Sequence, residues 1–83
     1  MRIDKFLNTT NITKRRAVAE DMCKSGIVFL NDKLAKCSKE VKIGDIISLN
    51  FLNRVDKYEV LAIPTTKNVP KNQSHEYIKK IEG

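Results

Sequence analysis

A chain of 83 residues makes one small domain with a modest core and leaves no room for a catalytic domain beside it. Sixteen Lys and Arg against ten Asp and Glu give a formal charge of +6, a balance that favours nucleic acid or an acidic surface over a neutral metabolite. No apolar run approaches the roughly 20 residues that span a bilayer, and Met1-Arg2-Ile3-Asp4 leads into a helical pattern without a signal-peptide core, so a cytoplasmic protein with no membrane partner is expected.

The charge is uneven along the chain. Residues 1–26 hold six cations and three anions, residues 27–63 hold six and five, and residues 64–83 hold four and two, so the excess lies at the ends. Asp4 reads as the cap of a short first helix with Ile3, Phe6 and Leu7 on one side, closed by the polar break Asn8-Thr9-Thr10-Asn11. Thr13 then reads as the cap of a second helix beginning at Lys14. Its residues Val18, Ala19, Met22 and Cys23 fall at helical spacing, and Gly26 follows as a left-handed terminator.

That reading puts Lys14, Arg15 and Arg16 in a first turn that already carries partial positive charge, where each exposed cation costs about 0.3–1 kcal/mol. On the helical wheel Lys14 and Arg16 flank the apolar stripe and Arg15 projects beyond its N-terminal end, so the three fan around the helix tip. Cations beside open amide donors form an anion-binding corner, and a local inconsistency of this kind marks a candidate functional site for a phosphate-bearing partner.

After Gly26 the period becomes two. Val28 and Leu30 alternate with Ile27 and Phe29, and Asn31-Asp32 turns the chain toward Leu34-Ala35. Asp reaches the positive φ of a tight hairpin less easily than Gly, so this turn is either wider or strained. Val41 and Ile43 lead to a turn at Gly44-Asp45, and Ile47, Leu49 and Phe51 share one face of the clearest strand. Leu52 to Asp56 turns the chain into a strand over 58–63, stopped by Pro64, which closes a domain over residues 1–63. Residues 64–83 read as a polar linker and tail in which Ser74 caps a short helix through Ile81; it either docks or folds on a partner.

Cys23 and Cys37 have no CxxC neighbour or His at ligand spacing and read as reduced thiols without a metal. His75 reads as a surface residue with no nucleophile near it, and Asp4 has no second carboxylate for acid–base work. The expectation is a protein that is not an enzyme and takes no cofactor.

The segments Arg2-Ile3-Asp4-Lys5-Phe6-Leu7, Lys14-Arg15-Arg16-Ala17-Val18-Ala19, Gly26-Ile27-Val28-Phe29-Leu30-Asn31, Lys36-Cys37-Ser38 and Val41-Lys42-Ile43-Gly44-Asp45, in this order, resemble an S4 RNA-binding domain over residues 1 to about 50. Within that superfamily the chain is most similar to the stand-alone S4 proteins of ribosome quality control in low-GC Gram-positive bacteria, relatives of the heat-shock ribosome-associated S4 protein. The resemblance implies an α+β fold of the αL type, a helical hairpin on a small, mostly antiparallel sheet. The expected core holds Ile3, Phe6, Val18, Met22, Val28, Leu30, Ile47, Leu49 and Phe51.

It also implies partners: the large ribosomal subunit with its large-subunit rRNA, a peptidyl-tRNA, and the elongation factor that adds alanine tails to stalled chains, with this protein acting as a monomer. Arg2 and Arg16 match the family's two RNA-contacting arginines by motif position. The expected RNA-binding set is Arg2, Lys5, Lys14, Arg15, Arg16, Lys36 and Lys39. Two departures stand out, Asp32 for the usual glycine and Ile43 for a frequent proline.

Blander readings accompany these. Arg16 at four residues from Glu20 has the spacing of a helix-surface ion pair, and Lys5, Lys24, Lys36, Lys39 and Lys42 are candidates for plain solvated surface, with about half of them credited with phosphate contacts. Phe29, off the Val28/Leu30 face, is the aromatic placed to stack on a base. The alternatives in function are another stand-alone S4 ribosome-associated or heat-shock rRNA-binding protein, the RNA-binding fragment of an RNA-modifying enzyme, and a binder of an acidic protein.

Overall fold

A computed structural model describes residues 1–65 and 69–81. Helix α1, Ile3–Thr9, buries Ile3, Phe6 and Leu7 completely, the i, i+3, i+4 stripe expected of it. Its start differs from the expected one. The residue preceding the helix is Arg2, with no side-chain cap; Asp4 lies inside the first turn, fully buried. The free Ile3 amide at the helix start is satisfied by backbone, donating to the Lys39 carbonyl at 2.7 Å, and beside it the Val41 amide donates to the Met1 carbonyl at 2.9 Å. Asn8 and Thr9 continue the helix, and the break comes at Thr10, whose hydroxyl donates to the Phe6 carbonyl at 2.7 Å.

Helix α2 runs Arg16–Lys24 rather than from Lys14. Arg15 is extended (φ −135°, ψ 143°), and the Thr13 hydroxyl donates to its carbonyl at 3.3 Å instead of capping the helix. Two of the three successive cations therefore precede the helix, and only Arg16 meets its positive end. Ala19, Met22 and Cys23 form the buried stripe. Val18, placed in the core from sequence, is 45% exposed because it sits one step of the wheel away from that stripe. The far end closes as expected of Gly26 (φ +74°): its amide donates to Cys23 O at 3.4 Å and the Ile27 amide to Met22 O at 3.1 Å, the paired bonds of a Schellman ending.

Five antiparallel strands follow, β1 Val28–Leu30, β2 Lys33–Leu34, β3 Ile46–Asn50, β4 Val55–Val60 and β5 Ile78–Ile81, in the spatial order β2-β1-β3-β4-β5. Leu30 pairs directly with Lys33, so Asn31-Asp32 is a two-residue turn. Both residues are left-handed (φ 52° and 66°), which makes the turn strained rather than wide. The Asn31 side chain offsets part of that strain: its amide donates to Asp45 Oδ1 at 3.0 Å and its oxygen accepts the Ile46 amide at 2.9 Å, tying the hairpin to the Gly44-Asp45 turn.

Val28, Leu30, Ile47, Leu49 and Val60 join the helix residues in one core. Phe51 follows β3 instead of ending it and is half-buried at the core margin. Strand β4 starts three residues earlier than expected because its pairing with β3 extends to Asn50 opposite Val55. The expected helix from Ser74 to Ile81 does not form. Lys71–Glu76 makes a 3-10 segment, and Ile78–Ile81 adds to the open edge of β4. A helix of eight residues is marginal in water, whereas a free strand edge offers a full ladder of backbone bonds. Ser74 accepts rather than caps: the Asn11 amide donates to Ser74 Oγ at 2.9 Å and to Val69 O at 2.7 Å, fastening this segment to the turn between the helices.

Two backbone substitutions should move stability in opposite directions. Asp32→Gly is expected to raise the free energy of unfolding by about 0.5–1 kcal/mol by removing a side chain from a left-handed position. Gly26→Ala should lower it by about 1–2 kcal/mol, since the added Cβ meets only ordinary contact, 3.9 Å from Leu34 Cδ1, and the cost is the positive φ. Urea denaturation of the two variants measures both signs.

Candidate nucleic-acid interface

Asp4 organises the basic tip. Its carboxylate has no exposed surface, yet its position in α1 puts it beside arginines from two elements. Arg2 Nη2 donates to Asp4 Oδ2 at 3.3 Å, and Arg16 Nη2 lies 3.6 Å from the same oxygen. The other oxygen, Oδ1, accepts the Lys5 amide at 2.7 Å. A buried carboxylate without partners costs several kcal/mol, so the two guanidinium groups are held where they neutralise it. About half of each arginine side chain remains open to solvent (51% and 48%), which leaves donors for an anion outside.

The surface pairing weighed for Arg16 also occurs: its Nε lies 3.6 Å from Glu20 Oε1. The two contacts coexist, with Asp4 behind the guanidinium and Glu20 along the helix. Lys5, Lys14 and Arg15 are exposed around this pair, Lys5 on α1 and the other two in the bend before α2. Counted along these segments, five cations accompany the two carboxylates that Arg16 meets, an excess of positive charge.

Lys36 and Lys39 lie apart from the tip in sequence and close to it through the backbone. Their loop turns on the Lys39 amide donating to Lys36 O at 2.9 Å, and the Lys39 carbonyl is the acceptor for Ile3. Arg2 and Glu40 form an isolated antiparallel bridge, and the terminal ammonium of Met1 lies 3.9 Å from Glu40. Lys33, Lys36, Lys39 and Lys42 line one open groove with Leu34 and Glu40. Lys33 and Lys42 stand outside the expected set, although their three-residue spacing from Lys36 and Lys39 is a signal visible in the sequence.

Cys23, on the buried side of α2, and Cys37 are free thiols. Burial pushes the Cys23 thiol up to about 12, with the hydrogen-bonded Cys37 thiol adding to the effect. Cys37 Sγ in turn donates to the Glu20 carbonyl at 3.5 Å, so Cys37 packs against the buried side of the helix that carries both Cys23 and Arg16. Among the described residues no cluster of three or more His, Cys, Asp or Glu side chains is arranged to hold a metal ion.

Residues 1–47 match the S4 domain family. The chain is 55% identical over 78 residues to the RQC P-site tRNA stabilizing factor of Helicobacter pylori, covering 94% of this chain and 93% of that protein. It is 38% identical over 61 residues to the protein of the same name from Streptococcus pneumoniae, covering 74% and 69%. Its fold superposes with a TM-score of 0.86 on the trimeric structure of Vibrio cholerae heat shock protein 15, at 26% identity over 98% of this chain and 81% of the other. The resemblance therefore extends beyond the Gram-positive proteins that the motifs first suggested.

Asp4→Asn should lower the free energy of unfolding by about 1–3 kcal/mol, the worth of hydrogen bonds to a charged group. Glu20→Ala should stay within about 0.5 kcal/mol, since an exposed pair contributes little and Arg16 keeps Asp4. Equal effects in urea denaturation would contradict this ranking. Cys23 should resist alkylation at pH 8 in the folded protein and react once urea unfolds it. Because the folded thiol titrates above the ordinary value of 9.0, its contribution to stability is complete below pH 9 and is lost as pH rises toward 12.

Proposed function

The chain belongs to the S4 domain family, and from that membership we propose that it is a non-enzymatic RNA-binding protein of ribosome-associated quality control. In this reading it binds large-subunit rRNA and peptidyl-tRNA together on a large subunit left by a split, stalled ribosome. By steadying the tRNA it supports a partner elongation factor that extends the nascent chain with alanine. It works in the cytoplasm as a monomer. The names carried by its relatives support the tRNA and quality-control parts of the proposal.

The observation that carries it is the sharing of Asp4 Oδ2 by Arg2 and Arg16. Structured RNA offers side chains mainly phosphates and 2′-hydroxyls, and a planar, permanently charged guanidinium matches a phosphate in two-point geometry. Flexible arginines would lose side-chain entropy on binding; a pair already held on a buried carboxylate loses less. The lysine groove is joined to the same helix start by the Ile3–Lys39 bond, so two RNA elements held at the arginine tip and the groove would keep a fixed relative position.

Arg16→Ala is expected to weaken binding to structured RNA and to reduce the slope of log affinity against log salt by roughly one phosphate contact, without unfolding the domain. Lys80→Ala, on β5, should do much less. Equal losses at both positions, or an unchanged slope at Arg16, would favour diffuse charge attraction instead. Crosslinking in cells with sequencing of the attached RNA should recover large-subunit rRNA and tRNA together. Recovery of rRNA without tRNA would favour a heat-shock-type rRNA binder, and a complex that survives nuclease would favour an acidic protein.

A further inference from the structure

The sheet has a second face, turned away from the helices, with its own constellation. Strand alternation puts Val28, Leu30, Ile47 and Leu49 into the core and therefore Phe29, Ser48 and Asn50 on the opposite side. The pairing registers set Phe29 directly opposite Ser48, and Ser48 directly opposite Lys57. An aromatic ring, a hydroxyl and an ammonium thus form one row across β1, β3 and β4. With Asp32, Asn50 and Val55 they line a shallow cleft of about 410 Å³, within the range of small-ligand sites.

The Ser48 hydroxyl distinguishes this cleft from an ordinary sheet surface. The residue is 4% exposed, and its Oγ has no hydrogen-bond partner among the described residues. A buried hydroxyl left unpaired costs about 1–3 kcal/mol, so a partner is expected to bring one. An apolar occupant would leave that cost in place. A peptide strand adds to sheets at their edges through main-chain bonds, and this cleft lies on a face, between paired strands.

We propose that the Phe29–Ser48–Lys57 row holds one unstacked nucleobase of single-stranded RNA, a site separate from the arginine tip. The base lies on the Phe29 ring, its edge exchanges hydrogen bonds with Ser48 and Asn50, and Lys57 meets the adjoining phosphate. Two strand spacings, about 10 Å, separate Phe29 from Lys57, and a lysine side chain extending back from there covers the distance from a base to its own phosphate. The Asp32 carboxylate at the margin accepts only, so it favours bases carrying an exocyclic amine over uracil. The inference rests on the RNA-binding reading above and adds a second mode to it, base contact beside phosphate contact.

The test is a titration of the full chain, followed by NMR, with single-stranded tetranucleotides of adenine, cytosine and uracil. Adenine and cytosine oligomers should shift the Phe29 ring and the Ser48 and Asn50 amides, with uracil weaker. Phe29→Leu, which keeps an apolar side chain at this half-buried position, should weaken binding about five-fold or more. Ser48→Ala should weaken it while leaving the fold intact. Arg16→Ala should leave these shifts unchanged while reducing affinity for duplex RNA, so failure of the cleft and failure of the RNA reading are separable. Shifts confined to the Arg2 and Arg16 region, an unchanged affinity in Phe29→Leu, or saturation of the cleft by an acidic peptide but by no oligonucleotide would overturn the proposal.

Discussion

A carboxylate without solvent contact is the constraint from which the basic surface follows. Asp4 is placed in the core side of α1 by the same turn that buries Ile3, Phe6 and Leu7, and there it must be paired. Its partners come from two places, the residue before α1 and the first residue of α2, so neutralising one charge also fixes the relation between the chain start and the second helix. The arginines proposed to meet RNA are thereby part of the structural solution. A surface built only of long solvated cations would have charge without position.

The backbone supplies the other half of that positioning. Chain termini fray unless tied down, and here Met1, Arg2 and Ile3 are bonded to the loop at residues 39–41. That loop carries Lys36 and Lys39 and borders the groove shared with Lys33 and Lys42. The arginine tip and the lysine groove are consequently two sides of one junction. At the opposite end Asn11, itself left-handed at φ 67°, fastens the segment around Val69 and Ser74 to the turn between the helices. The chain from Ile78 completes the sheet.

Much of this was legible in residue order. The buried stripe of α1, the ending at Gly26 and the alternation of β1 and β3 all follow from local patterns, whereas the pairing of Arg2 with Arg16 came from the family resemblance. The errors share a cause. Asp4 and Ser74 have the residue types of caps, but each is drawn to a partner on another element, Asp4 to Arg16 beside its neighbour Arg2 and Ser74 to Asn11. Thr13, Lys14 and Arg15 fit a first helical turn by propensity, while the extended backbone at Arg15 starts the helix later. Val18 is apolar at nearly the right wheel angle, and only the docking direction of α2 exposes it.

Local chemistry alone determined which residues are apolar with what period, where glycine is needed, and that the surplus charge favours a polyanion. Those properties depend on side-chain type and on neighbours within a turn or two, which any linear reading can see. The tertiary structure decided which oxygen each arginine shares, that residues 78–81 form a strand rather than a helix, and that Ser48 lies buried with no hydrogen-bond partner among the described residues. Each of those depends on groups far apart in the chain meeting in a common low-dielectric space, where an unpaired polar atom or an open strand edge costs more than local propensity contributes.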